Sequence, residues 1–270
     1  MTVARDVALA YDRTGAAWQA GPGRIYDRLA EIALDRSPVA LAGASVLDVG
    51  AGTGAATRAA LACDAAGVVA VDGAFGMLAV DAATRPPAAV ADARSLPVRS
   101  GAFDVVVAAF SLNHLDEPVV ALADAARALR PGGAMVVTAY ASEDGHPVKA
   151  AVDDAAAAMG WRSESWYADI HTGAVPLLAT TDRAVAAARD AGLVDARAER
   201  VDVPFPDLGP ADLVAWRLGM ANIAPFVAGL SLPQRHALAA DAVARLGADA
   251  PPLVRSMIVL TARVSAQTTQ

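Results

Sequence analysis

An apolar run that ends in a cluster of glycines constrains the fold of this 270-residue chain more than any other segment. Residues 46–54 read Val-Leu-Asp-Val-Gly-Ala-Gly-Thr-Gly, and an alanine-rich segment typical of a helix follows. Gly50 and Gly52 leave room for a ligand beside the backbone, and the free N–H groups of the next helix favour polar or anionic ligand groups. A strand, a tight turn and a helix N-terminus build a nucleotide site in open parallel sheets. Gly50, Gly52 and Ala55 also satisfy the dinucleotide fingerprint, so this motif alone does not identify the nucleotide.

Two further apolar runs end in a carboxylate. Residues 68–72 end at Asp72, about 20 residues after the glycines. An acid at this distance from the glycines can bind the ribose hydroxyls of a nucleotide. Residues 88–92 end at Asp92, which is followed by Ala93. Nicotinamide and other nucleotide cofactors both predict the acid at Asp72, so residues further along the chain must decide between them.

The predicted strands and helices alternate along the first half of the chain. Runs near 45–49, 67–72, 88–92, 103–110 and 134–140 read as strands, and segments near 54–63, 74–83 and 116–130 read as helices. This order predicts a parallel sheet that is covered on both faces. Helices are also predicted at 3–20, 24–36, 182–192 and at two stretches within 207–250, with further strands at 193–203 and 253–264.

The motifs occur in the order found in class I S-adenosylmethionine-dependent methyltransferases, which this chain resembles. The resemblance covers residues 46–54, Asp72, the Asp92-Ala93 pair, the 103–106 strand with His114 after it, and the Leu-Arg-Pro-Gly-Gly sequence at 129–133. Within that class the chain resembles the small-molecule enzymes, a subgroup that includes methyltransferases of quinone biosynthesis and of natural products. A nicotinamide enzyme is disfavoured because no Tyr-x-x-x-Lys pair is present, Lys149 being the only lysine.

The resemblance implies an α/β, Rossmann-like fold with a mostly parallel seven-stranded sheet, an antiparallel last strand at its edge, helices on both faces and a lid insertion. We expect a single methyltransferase domain over 1–270. Its predicted parts are N-terminal helices at 1–36, a cofactor-binding core at 45–140, a lid at 141–181 and the C-terminal part of the fold at 182–270.

The resemblance also implies a cofactor site for S-adenosyl-L-methionine. Asp72 would bind the ribose hydroxyls, Asp92 the adenine amino group and Asp48 the ammonium side of the methionine portion. Each of these acids could instead be a turn or cap residue, Met77 a core residue and Tyr11 a packing residue. The residues implied to bind the cofactor are Tyr11, Asp48, Gly50, Ala51, Gly52, Gly54, Asp72, Gly73, Met77, Asp92, Ala93, Ala109 and Phe110.

The acceptor site is predicted from histidines and aromatic residues. The segment 141–181 is too long for a simple loop, and its aromatic residues suit an apolar acceptor. The predicted acceptor-binding residues are Trp161, Trp166, Tyr167 and Trp216. His114 and His171 are the candidate catalytic residues, because a neutral imidazole can take a proton from an acceptor hydroxyl. A purely positional role for His114 is the favoured alternative.

Charge and composition exclude several classes of protein. The net charge is −7 and no basic stripe is present, so RNA and DNA are not expected as acceptors. No apolar run reaches the roughly 18 residues that span a bilayer, and Asp6 lies where a secretory signal would be apolar. Cys63 is the only cysteine, which leaves no disulfide within the chain and no zinc–cysteine cluster. We expect a cytoplasmic protein without a metal, whose oligomeric state stays open.

Together these observations predict S-adenosylmethionine-dependent methylation of a small organic acceptor, at oxygen, in secondary metabolism. Two alternatives remain open at this point. The first is a methyltransferase-like protein that catalyses a non-methylating reaction such as cyclisation, and the second is a cofactor-binding module without catalysis.

Overall fold

The computed structural model describes residues 3–266, which contain a seven-stranded sheet. The outermost residues of the predicted first and last parts, 1–2 and 267–270, lie outside the described residues. The strands are β1 (Ser45–Val49), β2 (Gly67–Asp72), β3 (Ala88–Val90), β4 (Phe103–Ala109), β5 (Leu129–Tyr140), β6 (Val194–Phe205) and β7 (Leu253–Arg263), and their order in the sheet is β3-β2-β1-β4-β5-β7-β6. The predicted fold class is confirmed.

The direction of the strands changes only at β7. Strands β1 to β5 pair in parallel, whereas β7 is antiparallel to both β5 and β6. The expectation that 253–264 forms the edge of the sheet was wrong, because β7 lies between β5 and β6, and β6 is the edge. The difference follows from composition: β7 is apolar and almost wholly buried, while β6 alternates charged, exposed residues. An apolar strand needs cover on both faces, whereas charged residues protect an edge.

Helices pack on both faces of the sheet. They are α1 (Val3–Asp12), α2 (Gly15–Ala20), α3 (Gly23–Leu34), α4 (Ala55–Ala62), α5 (Phe75–Leu78), α6 (Pro118–Ala128), α7 (Val148–Ala158), α8 (Ser165–Thr172), α9 (Thr181–Asp190), α10 (Pro210–Leu218), α11 (Ala224–Gly229) and α12 (Leu232–Leu246). Val46 and Val105 pack toward α3, α4, α7, α10 and α12, while Leu47 and Val106 pack toward α6 and α9. This alternation of side chains divides the core into two layers. No helix within 3–266 has the length and apolar character that crossing a membrane requires.

Several helix boundaries differ from the predicted ones. The helix expected over 3–20 breaks into α1 and α2, and the helix expected over 74–83 is limited to α5. The chain leaves the helical conformation after α5, and Asp81 has a positive φ of 55°. The helix predicted over 182–192 is α9, and Thr180 caps it, since its side chain accepts the N–H of Arg183 at 3.4 Å. The 207–250 region holds three helices rather than two.

The segment predicted as a lid divides between two environments. Its first helix, α7, packs against α10 and α12 and belongs to the helical layer on the sheet. Its second helix, α8, packs against α1, where Trp166 and Ile170 form a small apolar cluster with Val7 and Ala10. The lid expected over 141–181 therefore includes a helix of the core.

Candidate active site

The carboxyl ends of β1, β2 and β4 open into a cavity of about 630 Å³. Ligands bind at this edge in open α/β sheets, and the volume lies in the range of small-molecule sites. Every residue of the predicted cofactor set except Gly54 lines the cavity. Gly54 instead precedes α4 as its N-cap, with a φ of +93°, and lies beside the guanidinium groups of Arg58 and Arg85.

The glycine turn after β1 is held in a strained conformation that suits only glycine. Gly50 and Gly52 have φ values of +70° and +55°, and a Cβ on Gly50 would lie 2.2 Å from the Cβ of Ser111. The N–H groups of Gly50 and Ala51 donate to the carbonyl of Val71 at 2.8 and 3.0 Å. The turn is thereby fixed with its open side toward the cavity.

Asp72 joins the turn after β1 to the turn after β2. One carboxylate oxygen accepts the N–H of Gly52 at 2.8 Å, and the other accepts the N–H of Ala74 at 2.8 Å. Burial raises the pKa of Asp72, and these backbone donors partly offset the rise. Each oxygen keeps a second lone pair, so the carboxylate can also accept two hydroxyl groups from a ligand.

Asp48 places a buried carboxylate at the floor of the cavity. Its Oδ2 accepts the hydroxyl of Thr57 at 2.6 Å, but its Oδ1 has no hydrogen-bond partner among the described residues. Burial raises the pKa of Asp48 to about 6, while the Thr57 hydroxyl acts in the opposite direction. A buried, unpaired carboxylate oxygen is costly unless a cationic or donor group of a ligand meets it.

Asp92 lies at the exposed mouth of the cavity. Its carboxylate accepts the backbone N–H of Arg94 at 2.9 Å and two guanidinium N–H groups, and this contact lowers the pKa of Asp92. Arg94 also lies within 3.8 Å of Asp116 and 3.6 Å of Glu117. Sequence reasoning missed Arg94, although its place two residues after Asp92 was visible. The arginine links the loop after β3 to the segment before α6.

A set of aromatic side chains that we call the aromatic wall lines the remaining part of the cavity: Tyr11, Trp18, Tyr26 and Phe110. Neighbouring ring centroids lie 5.3 Å apart for Tyr11 and Trp18, 4.8 Å for Trp18 and Tyr26, and 5.3 Å for Tyr26 and Phe110. Trp18 and Tyr26 were not predicted as site residues. Their signal is the regular spacing of Tyr11, Trp18 and Tyr26 along the N-terminal helices.

His114 lines the cavity at the end of a 3₁₀ turn over Leu112–His114, and its ring centroid lies 5.5 Å from that of Tyr11. Burial lowers the pKa of His114 to about 4, and His171 acts in the same direction. Neither ring nitrogen has a hydrogen-bond partner in the described part of the chain, and no carboxylate orients the ring there. The imidazole is therefore neutral at pH 7, with a donor and an acceptor free for a ligand.

The other predicted acceptor and catalytic residues lie outside the cavity. Trp161 and Trp216 are buried in the larger core layer, and Trp166 packs in the cluster between α1 and α8. The ring of Tyr167 lies beside Lys149 and Arg217 and has its edge toward Trp166. His171 is exposed, and its Nδ1 is 2.7 Å from the carbonyl oxygen of Tyr167. These placements correct the expectation, because the aromatic residues of 141–181 pack α7 and α8 onto their neighbours.

The N-terminal helices cover the cavity in place of the predicted lid. Ala8 and Tyr11 from α1 and Trp18 from α2 line it. The carboxylate of Asp12 accepts the N–H of Gly76 at 2.7 Å, and a Cβ on Gly15 would lie 2.2 Å from the carbonyl oxygen of Gly76. The two helices are thus docked against α5, next to the turn after β2. Within 3–266, no group of three His, Cys, Asp or Glu residues is arranged to hold a metal ion.

Comparison with known proteins relates part of the chain to a family. Residues 47–137 match the family model described as a methyltransferase domain. The chain is 38% identical over 136 residues to demethylmenaquinone methyltransferase of Mycolicibacterium gilvum. This alignment covers 50% of this chain and 58% of the relative. The chain therefore spans less than two thirds of the length of such curated relatives.

Solved structures show the same fold. Phosphoethanolamine N-methyltransferase 2 of Haemonchus contortus, in complex with S-adenosyl-L-methionine, aligns with a TM-score of 0.56 and 21% identity, over 88% of this chain and 52% of that protein. The (4+2)-cyclase SpnF aligns with a TM-score of 0.52 and 23% identity, over 89% of this chain and 81% of that protein. These comparisons agree with the resemblance found in the sequence: residues 47–137 match a methyltransferase domain, and the fold is the one that these solved structures share.

Proposed function

We propose that the protein methylates a small organic acceptor at oxygen, with S-adenosylmethionine as the methyl donor. The observation that carries the proposal is the convergence on one cavity of the glycine turn, Asp72 and the unpaired Oδ1 of Asp48. The match to curated methyltransferases and the shared fold support it.

The residues of the cavity fit this cofactor. Gly50 and Gly52 allow the turn its positive φ values and so place its backbone along the cavity, and Asp72 has free lone pairs for two ribose hydroxyls. The buried Oδ1 of Asp48 is suited to the ammonium group of the methionine portion, which would supply the missing partner. Asp92, Ala93 and Gly73 would contact the adenosine end.

The chain itself contributes positioning more than acid–base chemistry. When bound, S-adenosylmethionine would supply an activated methyl group: the bond between the acceptor oxygen and the methyl carbon would form as the carbon–sulfur bond broke, the electron pair of that bond would stay on sulfur, and the hydroxyl proton would pass to water. Alignment of two reactants is worth roughly 7–11 kcal/mol, more than the factor of about 10²–10⁴ from a general base. His114 can accept the hydrogen bond of an acceptor hydroxyl and so hold the oxygen in place, which is the reason for proposing oxygen as the methylated atom.

We place this reaction in secondary metabolism, in the cytoplasm, as part of the same proposal. The family match covers 47–137, whereas Tyr11, Trp18 and Tyr26 precede it. The acceptor side of the cavity is thus built largely by a part of the chain outside the matched domain. Residues outside the matched domain therefore largely determine which acceptor the proposed enzyme takes.

Binding of S-adenosylhomocysteine is the first test. Calorimetry should show binding that Asp72→Ala weakens at least about tenfold, because the variant loses the ribose contact and the link between the two turns. Asp104→Ala is the matched control, since Asp104 also accepts a backbone N–H, that of Ser45. This contact lies at the amino-terminal ends of β1 and β4, away from the cavity. Tighter binding of NAD than of S-adenosylhomocysteine would contradict the proposal.

Transfer of a labelled methyl group is the second test. The protein is incubated with methyl-labelled cofactor and a panel of small phenols and alcohols, and labelled product is extracted. Cofactor binding without label transfer to any compound that binds the cavity would favour the cyclisation alternative. Failure to bind the cofactor at all would contradict both the proposed methyl transfer and the cyclisation alternative.

A further inference from the structure

Four of the five charged residues that line the cavity lie in the part assigned to the cofactor. Asp48 and Asp72 lie at the carboxyl ends of β1 and β2, Asp92 and Arg94 follow β3, and the fifth residue, Arg5, lies in α1. Arg5 is exposed and precedes Tyr11 by six residues, or about 9 Å along the helix. Beside the aromatic wall the lining includes Leu112, Leu115 and the neutral His114. A charged acceptor there would lose its hydration without meeting a countercharge.

The aromatic wall is preformed and well packed. Trp18, Tyr26 and Phe110 are 7%, 8% and 7% exposed. The rings of Trp18 and Tyr26 are inclined by 42°, while Tyr26 meets Phe110 edge-on at 88°. These separations and angles are the favourable ones for aromatic pairs. Flat apolar rings on one side of a cavity match the flat face of an aromatic ligand.

A second layer of contacts holds the wall from behind. The ring of Tyr140 lies 4.5 Å from that of Phe110, and the guanidinium of Arg255 lies 3.8 Å over Tyr140. Arg255 is buried and forms an ion pair of 2.7 Å with Asp144. Side chains fixed in this way change little when a ligand enters, so the shape of the wall selects among ligands.

Resting on the proposed function, we infer that the acceptor is a neutral, planar hydroxy-aromatic molecule whose ring lies against Trp18 and Tyr26 and whose hydroxyl meets His114. Trp18 and Tyr26 are therefore specificity-determining residues, although both lie outside the matched domain. The prediction excludes acceptors that carry a phosphate, carboxylate or ammonium group at the ring side of the cavity.

The test uses two probes that differ in charge. The protein is first saturated with S-adenosylhomocysteine, and 1-naphthol or 1-naphthoate is then titrated at pH 7 by calorimetry. 1-Naphthol should bind at least about tenfold more tightly than 1-naphthoate, because only the second carries a charge. Equal or tighter binding of 1-naphthoate, or no binding of 1-naphthol, would overturn the inference. Failure of S-adenosylhomocysteine to bind would instead count against the proposed function.

Substitutions in the wall assign the effect to individual rings. Trp18→Leu and Tyr26→Leu should each weaken 1-naphthol at least about tenfold while S-adenosylhomocysteine affinity stays within about threefold. Trp18→Phe keeps a ring and should stay within about threefold for both ligands, as should the control Trp161→Phe, which changes a buried tryptophan outside the cavity. If one leucine variant does not fold, the other decides. Unchanged 1-naphthol affinity in a folded leucine variant would refute the assignment.

Discussion

Replacement of Asp48 by asparagine tests the most unusual electrostatic feature of the cavity. In the free protein the carboxylate is buried, and Thr57 satisfies only one of its oxygens. Asp72 raises the pKa of Asp48 further, whereas Arg85 lowers it. Asparagine keeps the shape and an oxygen for Thr57 but cannot ionise, so it removes the cost of charging this site.

The size of the effect follows from the pKa of about 6 in the folded protein and the ordinary value of 3.8. Because the folded pKa is raised, the folded state holds the proton more tightly, and ionisation destabilises it as the pH rises from 3.8 toward 6. At 1.36 kcal/mol per pKa unit, this cost is about 1 kcal/mol at pH 4.5 and about 3 kcal/mol at pH 8. Relative to wild type, the free energy of unfolding of Asp48→Asn should therefore rise by about 2 kcal/mol from pH 4.5 to pH 8, which corresponds to about 4 °C in Tm.

Urea and thermal unfolding of the cofactor-free proteins at pH 4.5 and pH 8 measure this gain. Any constant penalty for the buried amide cancels, because only the difference between the two pH values is used. Asp104→Asn is the control: contacts with Ser45 and Arg130 lower the pKa of Asp104, so its stabilisation is lost only as the pH falls below about 3.8. Its effect should be nearly the same at both pH values.

A constant difference between wild type and Asp48→Asn from pH 4.5 to pH 8 would refute the reasoning, since it would mean that Asp48 ionises as easily in the folded protein as in the unfolded one. In the same variant, S-adenosylhomocysteine should bind at least about tenfold more weakly at pH 8, because the ammonium group loses its countercharge. Unchanged affinity would show that Asp48 does not meet the ligand.

Three further changes should have defined outcomes. Gly50→Ala should cost at least about 1–2 kcal/mol in urea unfolding because of its positive φ and its overlap with Ser111, and adding Ser111→Gly should recover part of the loss. His114→Gln should keep most of the turnover, and the wild-type pH–rate profile should lack a limb near 6.5 because the pKa of His114 is lowered to about 4; such a limb would contradict the assigned neutral state. Asp153→Ala should cost about 3–5 kcal/mol in urea unfolding, since it leaves the buried guanidinium of Arg217 unpaired, and a loss below about 1 kcal/mol would contradict this.

The sequence was most informative where structure is dictated locally. Apolar runs predicted β1 to β4 closely, and those of β1 to β3 stop at glycine or aspartate, because a buried parallel strand and the turn after it each require particular residue types. Strand β5 begins at Leu129, five residues before the predicted start. Gly50, Asp72 and Asp92 were therefore expected at one edge of the sheet, and they line one cavity.

Features that depend on distant contacts were not predictable in the same way. The aromatic residues at 161, 166, 167 and 216 looked available for a ligand, yet packing with α1 and the helical layer buries or covers them. Trp18 and Tyr26 looked like ordinary helix residues, and only the docking of α1 and α2 on α5 brings this segment over the cavity. Both the N-terminal helices and the segment 141–181 carry aromatic residues. Tertiary packing decides which of them covers the cavity, and local sequence patterns do not predict that packing.

The position of β7 between β5 and β6 has a consequence for how the protein is made. Within the described sheet, strand β6 pairs with β7 alone, so its backbone groups have no partner there until residues 253–263 have left the ribosome. Five parallel strands can assemble earlier, but β5 also keeps an open side until then. The closing of the sheet is therefore delayed until β7 has been synthesised, and a chain that stops before Leu253 exposes two unpaired strand edges, which favours aggregation.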